Sequence, residues 1–184
     1  MTAHPLAAAP AVALPVQRQA AGEEASAAVG PMPWLTDTGR LDQVLTAWGR
    51  GQLAEVPAGV AFDVLLTPLT LGRDTVHRMH EAGRPAGPVI LGPLGAEFLI
   101  ERGSAVGWSA SHTVLLRAGA LVLLPPPGDE NRVIGARSWL VPPCRPETGA
   151  PLCCAELPPA SVLLEPFQAA VQAATARREW PCTR

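Results

Sequence analysis

Carboxylates are the side chains in this sequence whose chemistry could support catalysis with metal ions. Mg²⁺ and Mn²⁺ need two or more clustered carboxylates, and the end of a strand is where we would look for them. Asp63 lies within an apolar run, Val60–Leu66, that predicts a buried strand. Side chains two residues apart on a strand share a face, and the residue two after Asp63 is Leu65. We therefore expect Asp63 to lie at a sheet edge or to pair with an arginine.

The histidines and serines offer no stronger candidate for a metal-binding or catalytic residue. His77 and His80 are spaced i, i+3 on a predicted helix, but zinc needs three or four ligands and no HExxH or CxxC pattern accompanies them. We interpret both as solvated residues beside the apolar stripe of that helix. The segment 107–111, close to His112, approaches the G-x-S-x-G nucleophile elbow around Ser109. Ser111 replaces the second glycine and no strand-turn-helix pattern surrounds it, so we reject that interpretation.

The cysteines are the remaining chemistry-bearing residues. Their spacing matches no zinc knuckle, so we interpret them as incidental thiols, with metal binding as a minor alternative. They are Cys144, Cys153, Cys154 and Cys182.

Composition and charge exclude several classes of protein. The chain has 184 residues, of which 48% are apolar, enough for the core of one domain. Its formal net charge of −2 does not indicate a strongly basic nucleic-acid-binding surface. The chain contains 14 arginines and no lysine, a bias typical of a high-GC coding sequence. An arginine in this sequence is therefore weak evidence for a phosphate-binding residue. No apolar run of about 18 residues is free of Pro, Gly and charge, so we predict no transmembrane helix.

The chain divides into three parts by composition. Residues 1–33 are rich in Ala and Pro and lack a basic start, which predicts a disordered leader rather than a signal peptide. Residues 34–180 form the predicted single α+β domain, and 181–184 a frayed tail. Without a secretion signal, the expected location is the cytoplasm, where thiols stay reduced.

The predicted elements follow from apolar periodicity and from Gly and Pro boundaries. Helices are predicted at Leu41–Gly49, Leu69–Ala82 and Ser161–Arg178. Strands are predicted at Val60–Leu66, Pro88–Leu91, Glu97–Ile100, His112–Arg117 and Ala120–Leu124, with Arg137–Val141 as a further edge strand. Turns are predicted at 92–95 and at Ala118-Gly119, the latter closing a hairpin. The order indicates an α+β fold with a mixed, largely antiparallel sheet and helices packed on it.

Two stretches together resemble a known family. Phe62-Asp63-Val64-Leu65 leads into a helix and then Gly87-Pro88-Val89-Ile90, and the later stretch Leu116–Pro127 ends in three prolines, with Trp139 downstream. This pattern resembles the N-terminal domain of bifunctional DNA primase/polymerases, the prim-pol domain, and most closely its small stand-alone actinobacterial relatives. The resemblance covers roughly residues 41–178. It implies an RRM-like sheet flanked by helices, and nucleotidyl transfer with two metal ions held by carboxylates.

The sequence departs from that family pattern at each catalytic position. Asp63 matches the first acid of the paired motif, but Leu65 stands at the second. Glu97 stands where the family has a histidine, and the later acid falls at or near Leu115. The resemblance therefore implies that the fold is kept and the reaction lost, and that the domain acts through binding or regulation. The candidate contacts to nucleic acid or nucleotide are Arg84, Arg117 and Arg137, although we favour structural salt bridges for each.

Two alternatives stay open. An active nucleotidyltransferase would build a diverged Mg²⁺ or Mn²⁺ site from Asp63, Glu97 and one of Asp129 or Glu130, and it requires these carboxylates close together. A protein-interaction module unrelated to nucleic acid would instead expose an apolar patch around Trp108 or Trp139.

Overall fold

Short strands with one apolar face each determine the architecture of the chain. The computed structural model describes residues 32–116, 118–127, 132–143 and 157–179. Its helices are α1 (Pro33–Thr36), α2 (Leu41–Gly49), α3 (Leu69–Glu81) and α4 (Ala160–Glu179). Its strands are β1 (Ala54–Pro57), β2 (Phe62–Thr67), β3 (Val89–Gly92), β4 (Gly95–Glu101), β5 (Val114–Leu115), β6 (Leu121–Leu124) and β7 (Ser138–Val141).

The described strands form two sheets. The larger has the order β5-β2-β4-β3-β7, and the smaller pairs β1 with β6. All neighbouring strands in both sheets are antiparallel. Because β4 pairs antiparallel with both β2 and β3, these two strands run in the same direction on either side of it, connected by α3. The predicted α+β class with a largely antiparallel sheet is confirmed.

The larger sheet is covered on both faces. On one face, Leu65, Phe98 and Ile100 pack with Met79 of α3 and Leu163 of α4. On the other, α1, α2 and the smaller sheet pack against the sheet through a second core cluster. The largest fully buried side chains of that cluster are Phe62, Leu35, Leu99, Ile90, Leu124, Val44, Val56, Val64 and Val122. Successive residues of the central strands β2 and β4 therefore alternate between two buried layers, which is why both strands read as nearly continuous apolar runs.

The turn after β6 is held by two tryptophans. The indole Nε1 of Trp48 donates to the carbonyl of Leu124 at 3.1 Å. The indole Nε1 of Trp139 donates to the carbonyls of Pro125 and Pro126 at 3.1 and 3.2 Å. Proline cannot donate to a ladder but keeps its carbonyl, so the bonds from Trp139 satisfy the buried carbonyls of the two prolines that follow β6. The run of prolines that carries the family resemblance thus has a structural role here.

Several sequence predictions are corrected by the structure. The predicted hairpin at Ala118-Gly119 is wrong, because β5 pairs with β2 while β6 pairs with β1. Strand β1 was not predicted at all. The strand predicted from Val60 begins at Phe62, and the last predicted helix begins one residue earlier, at Ala160. Among the described helices, none has the length and apolar character needed to cross a membrane.

Candidate functional site

Asp63, the first candidate acid, caps a loop. It lies on β2, opposite Ile100 of β4, and points to the face that α3 and α4 cover. Its Oδ2 accepts a hydrogen bond from the backbone N–H of Gly103 at 2.8 Å. Arg102, next to that glycine, donates from Nη1 to the carbonyl of Val60 at 3.0 Å. Asp63 and Arg102 thus tie the turn that follows β4 to the start of β2.

Glu97, the second candidate acid, is buried and paired. Its side chain is 4% exposed, and its Oε2 lies 2.8 Å from Nη1 of Arg137, which is 13% exposed. The same Nη1 lies 3.5 Å from the carbonyl of Leu123 on β6, so Arg137 connects the two sheets. A Cβ at Gly92 would come within 2.9 Å of Glu97 Oε1 and 3.4 Å of Arg137 Nη1, so the ion pair also fills the space beside that glycine.

The two acids lie on opposite faces of the sheet. Glu97 stands opposite Leu66 in the register of β2 with β4, whereas Asp63 stands opposite Ile100. Paired residues of neighbouring strands point to the same face of a sheet, and successive residues of one strand point to alternate faces. Glu97 therefore shares the face of Leu66, and Asp63, an odd number of residues from Leu66 on β2, points to the other face. The β-sheet itself lies between the two carboxylates, and they cannot ligate one ion.

The predicted arginine contacts are engaged in ion pairs where the structure describes them. Arg84 follows α3, and its Nη1 lies 2.7 Å from Oε2 of Glu165 on α4. Arg137 is the buried partner of Glu97. Both arginines form ion pairs; that of Arg137 is buried, whereas that of Arg84 is exposed. Arg117 lies outside the described residues, as do Asp129, Glu130 and the four cysteines.

The three described histidines take no part in a cluster. His77 and His80 are exposed on α3, as predicted, and His77 Nε2 lies 3.3 Å from Oε1 of Glu81 one turn away. His112 is also exposed, with a positive φ of 62°. Within the described ranges, no group of three or more His, Cys, Asp or Glu side chains could hold a metal ion.

Of the two tryptophans expected on an apolar patch, only one is near the surface. Trp139 is 3% exposed and belongs to the core, so that part of the expectation is wrong. Trp108 is half-buried against Phe167, and its Nε1 donates to Thr113 Oγ1 at 2.8 Å. Beside it lies a cleft of about 240 Å³ between the 104–110 loop and the start of α4. Val106, 91% exposed, and Leu164, 36% exposed, line this cleft.

No pattern in the amino-acid sequence indicates this cleft or the pairing of Glu97 with Arg137. Val106 lies in a loop of mostly small residues, and its spacing from other apolar residues does not indicate a binding cleft. The partners Glu97 and Arg137 come together only through the registers of β4 with β3 and of β3 with β7. Their opposite charges are visible in the sequence, but their contact is not.

The role of Asp63 as a loop cap can be tested by substitution. We expect Asp63→Ala to reduce the free energy of unfolding by about 0.5–1.5 kcal/mol, the usual net contribution of a hydrogen bond, because the bond to Gly103 is exposed to solvent. Asp63→Asn, which keeps an acceptor oxygen, should lose less. Amide hydrogen exchange should show the Gly103 amide losing protection in the alanine variant. Unchanged protection at Gly103 would contradict the assignment.

The comparisons with known proteins add no relative. No family model, no curated protein and no solved structure matches the chain.

Proposed function

We propose that this chain is a non-catalytic domain of the prim-pol type that acts in the cell by binding rather than by nucleotidyl transfer. The observation that carries the proposal is the placement of Asp63 and Glu97 on opposite faces of the larger sheet. Two-metal nucleotidyl transfer needs carboxylates that share ions about 4 Å apart. Each of these acids is instead engaged by the protein itself, Asp63 by a backbone amide and Glu97 by Arg137.

The relation to the prim-pol family is supported by two features together. One is the sequence pattern around Asp63 and in the proline run before Trp139. The other is the sheet, in which β2 and β3 run in the same direction with β4 between them and α3 connecting them, a split β-α-β arrangement. Such a unit is consistent with the RRM-like sheet that the resemblance implies.

A primer-extension assay tests the loss of the reaction. The full chain is incubated with a labelled primer–template, deoxynucleoside triphosphates and Mg²⁺ or Mn²⁺. We expect no extension above a reaction without protein. The test variant is Asp63→Asn. The control variant is Glu101→Gln, which changes an exposed acid of β4. Extension by the parent and by the Glu101 variant, but not by the Asp63 variant, would contradict the proposal.

A protein-interaction module is the second candidate, and the cleft beside Trp108 favours it. The side chains of Val106 and Leu164 are exposed there, next to the half-buried ring of Trp108. Leu164 projects from α4, which gives one wall of the cleft a rigid base. The lining of this cleft is mostly apolar, and its polar members Ser104, Ser109, Ser161 and Gln168 are uncharged, so it suits an apolar side chain of a partner better than a phosphate.

Site-specific photo-crosslinking distinguishes this second candidate. A photoreactive residue at position 106 should give one dominant protein adduct in the native cell. The matched control is position 133, where Val133 is 65% exposed but does not line the cleft. Equal and diffuse adducts from both positions would remove the interaction candidate.

A further inference from the structure

One edge of the larger sheet is formed by β5, and both residues of this short strand are exposed. Val114 is 56% exposed and Leu115 is 42% exposed. β5 pairs with β2 on one side, and no strand among the described residues pairs with its other side. The backbone groups on that outer side are those that a further strand would use.

The register of β5 with β2 shows which backbone groups point outward. The N–H of Leu116 donates to the carbonyl of Val64 at 2.9 Å, toward β2. Leu115 stands opposite Leu65 in this ladder. Successive residues of an antiparallel strand direct their N–H and C=O groups to opposite sides of the strand. Leu115 therefore directs both its N–H and its C=O away from β2, where another strand can exchange two hydrogen bonds with it.

The opposite edge of the same sheet is protected against such pairing. The register of β7 with β3 shifts between Val89 and Ile90, and Pro142 and Pro143 follow β7 directly. Irregular registers and prolines are devices by which proteins prevent pairing at an edge. Residues 113–116 contain neither a proline nor a charged residue. Of the two edges of the larger sheet, β5 is therefore the one suited to accept a further strand.

We propose that β5 pairs with β5 of a second copy of this chain, antiparallel and about a two-fold axis at Leu115. The axis places Leu115 opposite the partner's Leu115, so that these two residues exchange both of their outward hydrogen bonds. Val114 then lies opposite the partner's Leu116, and each of these cross-strand pairs is apolar. The segment is thus complementary to itself, and the two five-stranded sheets join into one continuous sheet.

Sedimentation equilibrium of the full chain tests this pairing. Because the contact is short, we expect a weak dimer whose average mass rises from one chain toward two with increasing concentration. Leu115→Lys places two like charges opposite each other at the axis, so the dissociation constant should rise about tenfold or more. The matched control is Val133→Lys, which adds the same charge at a residue 65% exposed outside β5 and should leave the dimer unchanged. Circular dichroism of both variants checks that they are folded.

Nuclear magnetic resonance of the parent chain tests the geometry without any substitution. In a mixture of isotope-labelled and unlabelled chains, we expect a nuclear Overhauser effect between Hα of Val114 and Hα of the partner's Leu116. The Cα atoms of such a non-hydrogen-bonded pair lie about 4.5 Å apart, which brings these hydrogens close together. A mass of one chain at every concentration, a dimer that a folded Leu115→Lys variant retains, or a parent dimer without this contact would overturn the proposal.

Discussion

Replacing Arg137 by leucine is expected to lower the free energy of unfolding by about 3–5 kcal/mol, a large part of the stability of an average domain. The substitution leaves the carboxylate of Glu97, whose side chain is 4% exposed, without its cation. A buried charge without a partner loses its hydration and gains nothing in return. The contact of Arg137 with the carbonyl of Leu123, which connects the two sheets, is lost as well.

The matched control removes both charges. In the double variant Glu97→Leu, Arg137→Leu, no charge is left unpaired, and apolar replacements of a buried ion pair are often neutral or stabilising. We therefore expect the double variant to be more stable than Arg137→Leu alone. Urea denaturation followed by circular dichroism gives both values. A loss below about 1 kcal/mol in the single variant, the range of surface ion pairs, would show that the pair is solvated and would refute its structural role.

Trp139 is the second position where we expect a large effect. Trp139→Ala should cost about 3–5 kcal/mol, because it removes a ring that is 3% exposed from the core between the sheets. Trp139→Phe keeps most of the packing but removes the Nε1–H that the carbonyls of Pro125 and Pro126 share. The phenylalanine variant should cost about 1–3 kcal/mol, because buried carbonyls then lose their donor.

Trp34 supplies the control for this prediction. Its ring is buried and packs edge-on against Phe62, with centroids 5.6 Å apart, but its Nε1 has no hydrogen-bond partner among the described residues. Trp34→Phe therefore removes no bond to a described group, and the indole N–H no longer has to be desolvated. We expect a clearly smaller loss than in Trp139→Phe. Thermal denaturation of Trp34→Phe and Trp139→Phe under the same conditions measures the loss of stability in each. Equal losses would contradict the hydrogen-bond argument.

Regular periodicity is what made part of the fold predictable. In α2, Leu41, Val44, Leu45 and Trp48 recur at helical spacing, and the helix has the predicted bounds. Val44 and Trp48 are buried on its inner face. The turn of Pro93-Leu94 between β3 and β4 was predicted for a similar reason, since glycines flank it and Gly92 pairs with Gly95. In both places, local sequence alone determines the structure.

Strand pairing is what local sequence could not supply. Strand β1 has the sequence Ala-Glu-Val-Pro, which shows neither length nor strong β propensity. It is a strand because Val56 pairs with Val122 of β6, far along the chain. Because β6 pairs with β1 and β5 pairs with β2, the hairpin predicted at Ala118-Gly119 does not form. A pattern of apolar residues identifies a strand but not its neighbour.

The candidate site was predictable to a similar extent. The absence of an acid at Leu65 correctly indicated that β2 offers a single carboxylate to its face. That Glu97 belongs to the other face follows from the register of β2 with β4, which the sequence does not specify. Its partner Arg137 was considered as a nucleic-acid contact, and only the arrangement of β4, β3 and β7 shows it to be buried with Glu97.

Titration of the full chain with Mg²⁺ and Mn²⁺ in a calorimeter, with and without a deoxynucleoside triphosphate, tests the central claim most directly. The claim is that the described carboxylates are too few and too separated to hold catalytic ions. We expect no saturable heat from the protein up to millimolar metal, beyond the heat of metal binding to the nucleotide itself. A saturable isotherm in the parent that disappears in Asp63→Asn and persists in Glu101→Gln would contradict the account.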